Sequence, residues 1–202
     1  RPLVNLLPLG EGERITAVLP LDRNIKGGFV CMVTRRGIIK KCDVENFSRP
    51  RSVGLIAVDL ADSDELVEVV LTSGNSEIML FSSGGKAIRF AESQVRPMGR
   101  TARGVRGISM KGDHEVISML VFEGATSADS VLVATENGYG KRSAFSDFPS
   151  KNRGGQGVIA IRVGGRNGSL VGAERVVDSD GLMLITGGGR LVRTRIGEIP
   201  LV

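Results

Sequence analysis

In 202 residues the chain has no tryptophan, one tyrosine, one histidine and two cysteines. Each scarcity excludes something. Seven phenylalanines and Tyr139 are too few aromatics for a platform that stacks the bases of a single strand. His114 lies in the polar turn Gly112-Asp-His-Glu115, so neither a histidine metal site nor histidine acid–base catalysis is expected. Cys31 and Cys42 make no Cys-x-x-Cys pair, and Cys31 sits in the apolar run Phe29–Val33. A reducing compartment is therefore expected rather than a disulfide framework. No stretch approaches the roughly 18 apolar residues of a membrane-spanning helix, and no signal-peptide pattern is visible. Tyr139 has no acid, base or metal cluster beside it in sequence. Gly187-Gly-Gly-Arg190 lacks the Gly-Lys-Ser/Thr ending of a phosphate loop, and the scattered serines have no triad partner. No catalytic residue, metal site or cofactor is expected for this chain. The start at Arg1 and the end at Leu201-Val202 read as cuts within a longer protein.

What is abundant is glycine, at 28 residues, set among Val, Ile and Leu. That mixture reads as many short strands joined by tight turns. Four segments share one pattern: Cys31–Lys41, Met79–Arg89, Leu132–Arg142 and Met183–Arg193. Each is an apolar strand, a polar turn and a second strand with basic residues. Aligned on the turn glycines Gly37, Gly85, Gly138 and Gly189, the spacings are 48, 53 and 51, and the residue four places on is always basic. Alternation and a turn glycine predict a β-hairpin. A strand is predicted before each hairpin, at Arg14–Leu19, Glu65–Leu71, Glu115–Val121 and Ser169–Arg175, and after three of them, at Val53–Val58, Val105–Met110 and Gly157–Arg162. Short helical turns are predicted at Asp43–Phe47, Glu92–Val95 and Phe145–Phe148. The fold class is all-β: four-stranded blades, about 50 residues per repeat, stacked in a propeller-like disc. The 202 residues form one repeat domain or partial disc, divided at 1–60, 61–112, 113–164 and a truncated 165–202. A sandwich or barrel with accidental similarity is the competing reading.

Net charge is +5. Its distribution says more. The windows 35–51, 86–111, 141–153 and 190–195 hold 20 of the 27 Lys and Arg but only 4 of the 22 acidic residues. Stacked repeats turn such a bias into a stripe along one rim. The hairpins contribute Arg35, Arg36, Lys40, Lys41, Lys86, Arg89, Lys141, Arg142, Arg190, Arg193 and Arg195. The loops after them contribute Arg49, Arg51, Arg96, Arg100, Arg103, Arg106, Lys151 and Arg153. Glycines such as those of Arg103-Gly-Val-Arg-Gly107 are expected to let the backbone approach phosphate. The partner predicted is duplex DNA held through its backbone, since no base-reading helix is evident. A solvated rim that aids solubility, or a propeller-like scaffold for protein interaction, are the alternatives.

The residues carry a more specific likeness. Arg1-Pro-Leu-Val-Asn-Leu-Leu-Pro-Leu9, Glu77-Ile-Met-Leu-Phe-Ser82, Thr101-Ala-Arg-Gly-Val-Arg-Gly-Ile108, Asn137-Gly-Tyr-Gly-Lys-Arg142 and Leu191-Val-Arg-Thr-Arg195 closely resemble the C-terminal domain of the bacterial DNA gyrase A subunit. The resemblance runs from end to end; the topoisomerase IV A subunit is the nearest confusable relative. It implies a β-pinwheel with strands exchanged between blades and a basic rim that wraps duplex DNA. It implies assembly with gyrase B and with the rest of the gyrase A subunit, and ATP-driven negative supercoiling in the bacterial cytoplasm. The family's catalytic tyrosine lies outside this region, and Tyr139 does not match it. The family's Gln-Arg-Arg-Gly-Gly-Lys-Gly box is absent from these residues. Asn152-Arg-Gly-Gly-Gln-Gly157 is a degenerate echo of it, so duplex binding is expected and full wrapping is left open.

Overall fold

The run Ile78-Met-Leu-Phe81 is apolar at every position, so as a strand it must bury both faces. The computed structural model describes residues 9–21, 25, 27–49, 51 and 54–202, and it shows how this is done. Ile78 and Leu80 of β4 (Glu77–Ser82) pack against Cys31, Val33 and Ile39 in one core layer. Met79 and Phe81 point the other way, into a layer with Val131, Val133 and Phe145. Successive sheets therefore stack face to face, as propeller blades do. The quoted residues 1–8 and Val53 lie outside the described residues.

Each sheet is built on one hairpin: β1 (Phe29–Thr34) with β2 (Ile38–Asp43), β4 with β5 (Lys86–Ala91), β8 (Ser130–Thr135) with β9 (Gly140–Ala144), and β12 (Gly181–Ile185) with β13 (Leu191–Arg195). The turn glycines Gly37, Gly85, Gly138 and Gly189 all have positive φ, as the hairpin reading requires. The flanking strands are not placed as the sequence division expects. β3 (Leu66–Thr72), β7 (Val116–Phe122) and β11 (Leu170–Val176) each pair with the hairpin of the preceding repeat, giving β3–β1, β7–β4 and β11–β8. The strand after each hairpin crosses in the same direction: β6 (Val105–Arg106) pairs with β2, and β10 (Val158–Ile159) with β5. Two sheets thus reach four strands, while the third has three and the fourth two among the described residues. A lone hairpin leaves two rows of unpaired backbone groups; strands donated by the following repeats satisfy them and link the blades covalently.

Four of the predicted strands differ in the structure. Arg14–Leu19 and the described part of 53–58 carry no strand. The strands at 105–110 and 157–162 shorten to two residues each. The reason is local: Ile108 and Ile161 donate their N–H groups to the turn carbonyls of Gly37 and Gly85, at 3.4 and 3.2 Å, so the chain leaves the ladder. The predicted helical turns are 3-10 turns at Val44–Phe47, Glu92–Gln94 and Phe145–Asp147, with a further one at Ile196–Glu198.

Side chains also stitch neighbouring blades along β3, β7 and β11. The Glu68 carboxylate accepts the Met119 N–H at 2.7 Å, and the Ser118 hydroxyl accepts that of Ala173 at 3.3 Å. Burial, with a smaller push from the Glu174 charge, holds the Glu68 carboxyl above its ordinary value of 4.5. A carboxyl raised in the folded state favours the protonated form there. Its contribution is present below the ordinary value and is lost as pH rises through the folded one. Glu68→Gln keeps an acceptor but does not ionise, so its stability relative to the unaltered chain should climb as pH rises from about 4 toward neutrality. Urea midpoints across that range test this; parallel profiles would refute it.

Candidate nucleic-acid interface

The recurrent basic residue four places past each turn glycine does not face solvent in the first three repeats. Lys41 is 3% exposed and Arg142 6%. Each reaches the 3-10 turn of the next repeat. Lys41 pairs with the buried Glu92 carboxylate at 3.2 Å and lies 4.5 Å from the centre of the Phe29 ring. Arg89 donates to the carbonyls of Phe145 and Phe148 at 3.4 and 3.0 Å, and to Glu77 at 2.8 Å, with its guanidinium over the Phe145 ring. Arg142 donates to the carbonyls of Ile196 and Ile199 at 3.2 and 3.4 Å, to Ser130 at 2.9 Å, and to Asp178. Lys40, 1% exposed, donates to the carbonyls of Ala57 and Arg100. Burial lowers the pKa of its ammonium, and nearby Cys42 partly opposes that. Lys40, Lys41, Arg89 and Arg142 therefore leave the set of phosphate contacts that the sequence suggests, because their donors are already spent on protein acceptors inside the blades. Lys and Arg alternate between faces of a strand like any residue, and composition alone does not say which face is outside.

The basic loops behave differently. They run along the outer sheet edges, and consecutive ones abut. Arg100 donates to the Ile56 carbonyl at 3.1 Å, and Arg103 pairs with Asp59 at 3.2 Å, joining the loops around 51–59 and 96–106. Arg153 donates to the carbonyls of Arg106 and Gln94 at 3.0 and 2.9 Å, and its own N–H to the Gln94 side chain at 2.9 Å. Gln94 in turn donates to the Lys151 carbonyl at 3.2 Å, so the loops around 96–106 and 151–157 are also tied. Neutral Gln94 is the residue the sequence reading missed; nothing in its own chemistry marks it. Arg49, Arg51, Arg96, Arg103, Arg106 and Lys151 are exposed on this edge, with Arg100 and Arg153 half-buried. Of these, only Arg103 has an ion-pair partner among the described residues.

The loop glycines serve the protein first. At Gly157, φ is +72° and a Cβ would lie 2.1 Å from the Ala87 carbonyl oxygen; at Gly104, φ is +113° and a Cβ would lie 2.7 Å from that of Ile39. They let the loop backbone lie close against β5 and β2, where a side chain would collide.

The remaining basic residues lie elsewhere. Arg35 is partly neutralised by Glu65 and Glu115, at 3.8 and 3.5 Å, and Arg36 donates to Ser63 at 2.5 Å. Lys86 donates to Gln156 at 3.2 Å. Lys141 is half-buried on β9, and Arg190, Arg193 and Arg195 are exposed on and beside β13. Tyr139 is a partly exposed turn residue with the Arg166 guanidinium 5.1 Å from its ring centre. His114 stands by the Ser83 hydroxyl at 3.4 Å. Burial pushes the Cys31 thiol up to about 12, and Cys42 is buried too. Among the described residues no group of three or more His, Cys, Asp and Glu could hold a metal ion.

Comparison with known proteins gives the same picture of repeats. A family model described as "DNA gyrase C-terminal domain, beta-propeller" matches residues 28–73, 76–123, 129–176 and 182–202. The first three matched segments each take in one hairpin and the long strand, β3, β7 or β11, that pairs with it. The chain is 54% identical over all 202 residues to the DNA gyrase A subunit of Salmonella typhimurium and 50% identical to that of Escherichia coli K12, spanning 23% of the length of each. Its structure is similar to that of the C-terminal domain of DNA topoisomerase IV, with a TM-score of 0.89 at 28% identity, covering 99% of this chain and 62% of that one. It is also similar to that of the DNA gyrase A C-terminal domain, with a TM-score of 0.75 at 25% identity, covering 85% and 57%.

Proposed function

This chain belongs to the DNA gyrase C-terminal domain, beta-propeller family, and on that premise we propose that it holds duplex DNA against the outer edge formed by its basic loops. One observation carries the reading. Three consecutive loops, from three repeats, are joined edge to edge by Arg100, Arg103 and Arg153, and their unpaired basic side chains face solvent along the same edge. Such an edge neutralises successive phosphates and reads no bases, so affinity should fall steeply with salt and depend little on sequence. A blade edge curves, and DNA that follows it must bend, at a cost of about 1–6 kcal/mol that only many contacts recover. Within a longer gyrase A chain acting with gyrase B, this would present bent DNA for ATP-dependent negative supercoiling in the bacterial cytoplasm. The chain itself is read as non-catalytic and as needing no cofactor.

The test is fluorescence anisotropy with labelled duplex and single-stranded DNA of one sequence, titrated at several salt concentrations. The proposal expects preference for the duplex and a log–log salt slope of about −4 or steeper, corresponding to roughly five phosphates. Equal affinity for both, or a flat slope, would overturn it.

A further inference from the structure

The recurrent base meets the repeat that follows it in the same way three times. Lys41, Arg89 and Arg142 each reach across to a 3-10 turn of the next repeat, which begins at Glu92, Phe145 and Ile196 respectively. In each case the backbone carbonyl of the same residue accepts an N–H six places past the start of that turn: Met98 at 2.8 Å, Lys151 at 2.8 Å and Val202 at 2.9 Å. One residue thus grips the next repeat twice, by its side chain at the turn and by its backbone where the turn becomes the edge loop. An acid holds each base in place: Glu92, Glu77 and Asp178. Three occurrences with two independent contacts each are more than packing coincidence.

We propose that these residues, Arg89 above all, are positioning residues that set where the DNA-facing loop of the following repeat lies. The inference rests on the proposed function for its DNA half only. Arg89 touches no phosphate. Its side chain is 18% exposed, its Nε donates to Glu77 and its Nη1 to the carbonyls of Phe145 and Phe148. Its backbone carbonyl fixes Lys151, and Lys151 lies two residues before Arg153, which ties this loop to the previous one. Releasing Arg89 should therefore leave the number of basic contacts unchanged but misplace them relative to those of the preceding loop. Affinity for a short, straight duplex is then little altered, while the bend imposed on a long one is reduced.

The experiment compares Arg89→Met, Arg89→Lys and Lys151→Met in the full chain. Hydrogen exchange of the free protein over 145–151 should accelerate about tenfold or more in Arg89→Met, the loss expected for charge-assisted hydrogen bonds to carbonyls. Strands β8 and β9 should keep their protection. The salt slope for duplex binding should match that of the unaltered chain, while the linking-number shift left in circular DNA ligated with bound protein should fall at least about twofold. Arg89→Lys should recover part of both, because an ammonium still reaches carbonyls. Lys151→Met should do the reverse: a salt slope shallower by about 1 with exchange unchanged. Unchanged exchange over 145–151 in Arg89→Met, or a salt slope shallower by about 1 in that variant, would overturn the inference. If Arg89→Met fails to fold, Arg89→Lys decides alone: exchange faster only in 145–151 supports the latch, and unchanged exchange rejects it. Absence of duplex binding by the unaltered chain would sink the proposed function and the DNA half of this inference, while the exchange data would still decide the latch.

Discussion

Replacing Arg96, Arg106 and Lys151 together by glutamine should make the salt slope for duplex binding shallower by about 3, one unit for each phosphate no longer neutralised. The three are chosen because their charges are free. All are exposed, none forms an ion pair among the described residues, and none reaches into a blade. Exposed side chains of this kind contribute about 0.5 kcal/mol or less to folding, so the variant should unfold at nearly the same denaturant concentration as the unaltered chain. Arg103 makes a useful contrast. Asp59, 3.2 Å away, already offsets its charge, so Arg103→Gln should change the slope by less than Arg106→Gln. Arg142→Gln differs in kind. Arg142 is buried among carbonyls and Asp178, so its loss should lower stability and leave the slope of the folded fraction unchanged. A triple variant whose slope equals that of the unaltered chain would place the DNA-binding surface elsewhere.

The largest effect on stability is expected at Glu92. Its carboxylate is fully buried and takes four partners: Lys41 at 3.2 Å, the Thr72 hydroxyl at 2.7 Å, and the N–H groups of Gly74 and Ser76 at 3.1 Å each. It thereby joins the end of β2, the end of β3 and the entry to β4. Glu92→Ala leaves the Lys41 ammonium buried without its counter-charge, which costs about 3–5 kcal/mol. Against a total of about 5–15 kcal/mol, that is enough to leave much of the chain unfolded at physiological temperature. Lys41→Met in the same chain should recover part of the loss by removing the stranded charge. Recovery should be incomplete, since Gly74 and Ser76 still lack an acceptor. Denaturant midpoints of the two single variants and the double variant measure the coupling. A loss below about 1 kcal/mol for Glu92→Ala would show that water reaches the site and that the pair is not buried in solution.

The hairpins are legible in the sequence because they are local. A turn glycine and alternating apolar residues are read within ten positions, and Gly37, Gly85, Gly138 and Gly189 all have the positive φ this implies. The repeat period is legible for the same reason. What is not legible is non-local. Leu66–Thr72 reads equally well as a partner for the hairpin that follows and for the one that precedes it; only the stacking of sheets selects the latter. The exposed and buried bases are likewise indistinguishable by type. Arg106 and Arg89 each sit on a short strand within four residues of a glycine, yet one faces solvent and the other caps a 3-10 turn in the next repeat. A signal that separates them is present in the sequence: the recurrent base keeps the fourth place past its turn glycine in every repeat, whereas the loop bases keep no fixed spacing. Glu92 reads only as part of a short helical turn, since nothing local marks a carboxylate that binds residues 16 to 51 positions away.

The claim that the joined basic loops bend duplex DNA around one edge is tested most directly by ligating nicked circular DNA with increasing amounts of this chain, removing the protein and resolving the topoisomers. A linking-number shift of one sign is expected, growing with bound protein and diminishing in the Arg96, Arg106 and Lys151 triple variant. A topoisomer distribution that stays centred on the protein-free control at saturating protein would contradict it.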